Sequence, residues 1–181
     1  MTTPTLGTWK LDPTHFEIGF KVRHAGVSKV RGTFDQADAA IEVKEDFSAS
    51  ETTATVQVAS LNTRDDDRDG HLKSEDFFDV EKYPTMSFKS TSFQVEGEDL
   101  TVEGELTIKD QTRPVILTGE FGGVVVDPFG TTRMGISAST VISRKEFGIT
   151  WNAALEAGGV MIGDKVTVNI DGEFVAPESQ N

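Results

Sequence analysis

The sequence predicts an all-β fold, an eight-stranded antiparallel barrel, on three observations. Successive segments alternate apolar and polar residues. Turn-forming residues separate these segments at short intervals. Glycines fall inside the alternating segments, where a barrel uses them for bulges and bends and a flat sheet is weakened by them. A regular series of short strands with turns between them marks a barrel or sandwich, and the glycines tilt the choice to the barrel.

The first strand reads most clearly. Phe16, Ile18, Phe20, Val22 and His24 share one face, while His15, Glu17, Gly19, Lys21 and Arg23 share the other. Period two is the spacing of a half-buried strand. Further rows follow in order: Ala54, Val56 and Val58; Met86 and Phe88; Leu100, Val102, Leu106 and Ile108. Then come Val115, Leu117 and Phe121; Met134, Ile136 and Ala138; and Val166, Val168 and Ile170. Turn signals lie between them at Glu96-Gly97-Glu98-Asp99, Lys109-Asp110-Gln111, Asp127-Pro128-Phe129-Gly130 and Gly163-Asp164.

Two segments interrupt the alternation. In 62–84, Asn62 or Thr63 is the expected cap of a short helix whose first turn carries Asp65, Asp66 and Asp67. Ser74-Glu75-Asp76 is a second capping signal ahead of Phe77 and Phe78. In 151–159, the run Ala153, Ala154, Leu155, Glu156, Ala157 favours a helical turn. The expected organisation is one domain over 1–176 with a frayed tail, 177–181.

Composition removes several function classes. The net charge of −13 argues against binding nucleic acid or anionic membrane surfaces by charge. With no cysteine, disulfides, thiolate metal sites and cysteine nucleophiles are excluded. No basic start followed by an apolar run opens the chain, and no apolar run approaches the ~20 residues that span a bilayer. The expected setting is therefore soluble and cytoplasmic, without membrane insertion.

No chemical motif is strong. His15, His24 and His71 are scattered, without the paired spacing of a zinc helix, so no metal site is expected. Asp65, Asp67, Asp69 and Gly70 match half of a calcium loop, but the twelfth position is Asp76 and Arg68 sets a positive charge among the ligands. No Gly-x-Ser-x-Gly elbow or complete phosphate loop occurs. The expectation is no enzyme, no catalytic residue and no cofactor. An eight-stranded barrel encloses either packed side chains or one small ligand, and alternation alone leaves these open.

Longer stretches carry a resemblance. Trp9-Lys10-Leu11-Asp12-Pro13-Thr14-His15, Ile18 to His24 and Val30-Arg31-Gly32-Thr33-Phe34 resemble the opening of the YceI-like family of lipocalin-like, polyisoprenoid-binding proteins. So do Asn62-Thr63, the run Arg68 to Asp79, and Tyr83-Pro84. Gly104 to Ile108, Thr112 to Val115, Ile142 to Gly148 and Ile162 to Val166 continue the match in order. Phe16 departs from the family's small residue and is expected to narrow one end of a cavity. Asp110 replaces a frequent turn glycine.

The resemblance implies a barrel whose interior binds, stores or transports an isoprenoid lipid, a polyprenyl phosphate or an isoprenoid quinone. It also makes a homodimer an expectation. The expected wall is Phe20, Val22, Val56, Val58, Phe88, Leu106, Leu117, Met134, Ile136 and Phe147, with Phe77 and Phe78 at an end or entrance. Arg113, Arg144 and Lys145 are the cations to examine for a charged head. Two alternatives stand beside this reading: general sequestration of amphiphilic small molecules, and an enzyme built on Arg68, Asp69 and His71.

Overall fold

The computed structural model describes residues 3–180. Its strands are β1 (Gly7–His24), β2 (Ser28–Phe34), β3 (Ala37–Val43), β4 (Glu51–Gln57) and β5 (Leu61–Asn62), then β6 (Thr85–Glu96), β7 (Asp99–Ile108), β8 (Gln111–Val126), β9 (Thr132–Ser143) and β10 (Ile162–Val175). One helix, α1 (Asp66–Lys73), lies between β5 and β6. All strand pairings are antiparallel. The order β10-β9-β8-β7-β6-β4-β3-β1 closes through β1 against β10, giving the eight-stranded barrel the alternation predicts.

The two further strands follow from kinks. β1 pairs β3 over Gly7–Lys10 and β2 over Ile18–His24, on the same edge. β2 and β3 are thus two pieces of one stave, broken at Asp35 and Gln36. The stave beside it breaks at the same level, where β4 and β5 are separated by a 3-10 turn over Val58–Ser60. The breaks bond to each other: the Asp35 N–H donates to Ser60 O at 3.2 Å, and the Gln36 N–H to the Ser60 hydroxyl at 3.0 Å. Next to them, β1 slips register against β10 between Leu11 and Phe16.

Two apolar clusters divide the interior along its axis. At one end, the foot, Trp9, Ile41, Phe93, Leu100, Phe121, Met134 and Ala176 pack together. At the other, the head, Phe34, Val58, Leu61, Phe77, Met86, Ile108, Phe147 and Ile149 pack beneath α1 and the segment after it.

Two expectations change. The helix begins one residue after Asp65, whose side chain accepts the Arg68 N–H at 2.8 Å; Asn62 and Thr63 lie further back. Both are held elsewhere, Asn62 in β5 and Thr63 in bonds to Asp69. Segment 151–159 is no helical turn but a small hairpin, with Ala154 bridging Val160 and the Met161 N–H donating to Ala153 O at 2.9 Å. Gly158 and Gly159, at φ +89° and +88°, make its turn and override the alanine propensity. The described part of the tail has local structure. Pro177–Ser179 form a 3-10 turn, and Gln180 Nε2 donates to Thr8 O at 2.6 Å. Asn181 lies outside the described residues.

Candidate ligand cavity and mouth

Alternation turns one face of each strand inward, and at mid-barrel these faces do not meet. They leave a cavity of about 390 Å³, within the range of small-molecule sites. On β7 its wall runs from Leu100 to Ile108. Eight residue steps at ~3.3 Å make about 26 Å of strand, so the space is long and suits a chain better than a compact ligand. Its wall is dominated by Phe, Leu, Ile and Val side chains.

All the expected wall residues border this space except Val58 and Met134. Val58 opens the 3-10 turn that breaks the stave and is 1% exposed within the head cluster. Met134 has the expected inward face but lies below the cavity, fully buried in the foot. Phe77 and Phe78 border the cavity from the segment after α1, as expected of an end or entrance. Phe16 borders it at the β1 register slip.

The three expected head-group cations separate. Arg113 sits by the β7–β8 turn and donates to Thr112 O and Gln111 Oε1, each at 2.8 Å, away from the cavity. Lys145 is exposed and also outside it. Arg144 borders the cavity and is only 5% exposed. It follows β9 in a 3-10 turn (Arg144–Phe147) ended by Gly148 at φ +75°. That left-handed residue reverses the chain, so the carbonyls of Ile149 and Trp151 fold back onto the guanidinium, both 2.9 Å from Nη1. Nε donates to Gly163 O at 2.9 Å and Nη2 to Ile162 O at 3.3 Å. Burial lowers the guanidinium's pKa from its ordinary value, and Asp164 offsets part of that.

Four further basic residues border the same end: Arg23 and His24, which the sequence does not single out, and Arg68 and His71, which it offers only for an enzyme. Arg68 and His71 stand one turn apart on α1, a spacing that places side chains on one helix face and was readable in the sequence. Arg68 donates from Nε to Thr63 Oγ1 and from Nη2 to Thr63 O, both at 2.8 Å. Asp69 instead accepts from the Thr63 N–H and hydroxyl. His71 has Nε2 2.8 Å from Asp76 Oδ2, and its ring stands edge-on to Phe77 and Trp151. Of the trio weighed for catalysis, Arg68 and Asp69 thus meet on Thr63, while His71 pairs with Asp76. No group of His, Asp or Glu suited to a metal ion occurs among the described residues.

A closed antiparallel barrel with a long apolar cavity, bordered at one end by basic side chains, belongs to the lipocalin-like class of architectures. Within that class the relationship is specific: the YceI-like domain matches residues 9–174, and this chain belongs to that family. The UPF0312 protein of Staphylococcus aureus strain bovine RF122 / ET3-1 is 40% identical over 169 residues, covering 92% of this chain and 96% of that protein. The Campylobacter jejuni YCEI protein has a crystal structure with TM-score 0.69 and 31% identity, covering 97% of this chain and 98% of that one. Two more distant structures share the fold. Burkholderia cenocepacia BcnA has TM-score 0.76 at 19% identity over 90% of this chain and 98% of that one. A polyisoprenoid binding domain from Saccharophagus degradans, implicated in plant cell wall breakdown, has TM-score 0.72 at 17% identity, covering 96% and 100%.

Proposed function

We propose that this protein binds an isoprenoid amphiphile in its barrel and stores or carries it without chemical change, in the cytoplasm. The long apolar cavity carries the reading. Removing apolar surface from water contributes about 25 cal/mol per Å², or ~0.8 kcal/mol per methylene, so repeated isoprene units add affinity without needing a precise polar contact. The family relationship and the Saccharophagus domain named for polyisoprenoid binding support the same ligand class. A polyprenyl phosphate and an isoprenoid quinone both offer the required chain.

Native mass spectrometry of the purified protein, followed by lipid extraction, tests this. The expected result is a co-purifying isoprenoid, or uptake of one by stripped protein. Protein that emerges empty and takes up no polyprenyl lipid overturns it.

A further inference from the structure

We propose that the mouth selects amphiphiles with an acidic head, a phosphate or carboxylate, over neutral-headed ones. Arg144, Arg68 and His71 are the head-group contacts. The inference rests on the cavity reading above and narrows its ligand.

The distribution of charge points this way. The whole chain carries −13, yet among the described residues the only carboxylate bordering the cavity is Asp171. Asp171 lies toward mid-barrel, pairs with Glu17 across β1 and β10, and accepts the Ser137 hydroxyl. The head end gathers five basic side chains instead. None of its three arginines has a carboxylate within 4.0 Å among the described residues, whereas Arg133 at the foot has three. Three arginines without carboxylate partners at one end of an acidic protein favour an anion there, beside His71, which Asp76 holds at 2.8 Å.

The contacts are contiguous. The His71 ring centroid is 4.8 Å from that of Trp151, and Trp151 O accepts from Arg144 at 2.9 Å. Arg68 is one helical turn from His71. Arg144 has five N–H donors, and four meet carbonyls. The fifth, on Nη2, and the Nη1 group of Arg68 have no protein acceptor among the described residues. A buried guanidinium with a free donor gains most from a charged acceptor, because such bonds are shorter and roughly twice as strong as neutral ones. The apolar tail then continues from the mouth into the cavity beside Phe77 and Phe147.

Three probes with one chain and different heads test this on the intact protein: farnesyl phosphate, farnesoic acid and farnesol, each titrated by calorimetry. We expect at least one acid to bind about tenfold more tightly than farnesol at low salt. The advantage should shrink at high salt, since Arg68 and His71 are exposed. Arg68→Gln and His71→Gln should each reduce it severalfold, lowering acid affinity more than farnesol affinity. These two exposed positions serve because Arg144 also supports its loop and its replacement endangers the fold. A larger advantage for the phosphate than for the carboxylate assigns the head as phosphate. Equal binding of all three, or tighter binding of farnesol, overturns the proposal while leaving the cavity reading intact. Failure of all three to bind overturns both.

Discussion

The two ends of this barrel are closed by opposite means. At the foot, Trp9 is fully buried among Ile41, Phe93 and Met134, with its indole N–H satisfied by Thr5 O at 2.8 Å. Outside, Arg133 ties Asp12, Asp127 and Glu173, from β1, the β8–β9 turn and β10, at 2.6, 2.8 and 3.2 Å. Each of these four charges has a partner. At the head, Arg144 is buried on carbonyl oxygens alone, and Arg68 and His71 border the cavity half-paired. The foot spends its polar groups on holding strands together. The head keeps donors in reserve next to an apolar space, which is what a binding end requires.

The sharpest way to break this comparison is at the foot. Trp9→Ala should destabilise the fold by about 4 kcal/mol, since a large aromatic is lost from full packing. Thermal unfolding reads this. At the head, Arg144→Leu should cost about 3 kcal/mol by leaving carbonyls unpaired. Chemical denaturation of the variant should therefore show a smaller loss than for Trp9→Ala.

Such predictions draw on what the sequence did and did not disclose. Alternation told inside from outside correctly for Phe20, Leu106 and Ile136. It carries no information on depth along the barrel axis, so it assigns Met134 to the wall, whereas Met134 lies below it. Val58 failed for another reason: the stave breaks into a 3-10 turn there, and period two stops. Arg144 read as one surface cation among others because its acceptors lie at Ile149, Trp151, Ile162 and Gly163, five to nineteen positions onward. Only the folded chain brings them together. The closure of β1 on β10 is equally non-local, though an even meander with matched rows implied it.

A third prediction concerns Gly32, across from Phe20 in the β1–β2 pairing. A Cβ there would stand 2.4 Å from the Phe20 ring and 2.9 Å from Thr63. Gly32→Ala should cost about 2 kcal/mol as Phe20 is pushed into the cavity. Ligand uptake should fall with it, measurable by the same native mass spectrometry.

The smallest effect is electrostatic. Burial alone would raise the Asp12 carboxyl, but hydrogen bonds from Arg133, Thr14 and His15 outweigh it and hold the group well below the usual carboxylate range. Its folded value being depressed, the stability it contributes is fully present above the unfolded value of about 4 and is lost as pH falls through the folded value. Urea midpoints should therefore drop between pH 5 and 2. Arg133→Gln should flatten that dependence, whereas Arg68→Gln at the head should leave it unchanged.

The broken staves have a consequence for how such a vessel can vary. Because β2 with β5, and β3 with β4, are separate pieces joined at one crease, the rim can be recut without refitting the base. A residue gained or lost at Asp35–Gln36 or Val58–Ser60 changes only the upper panels, and β1 already carries slack of its own between Leu11 and Phe16. The aperture and the bottom of the vessel are thereby adjustable independently, one deciding what is admitted and the other how deep it goes.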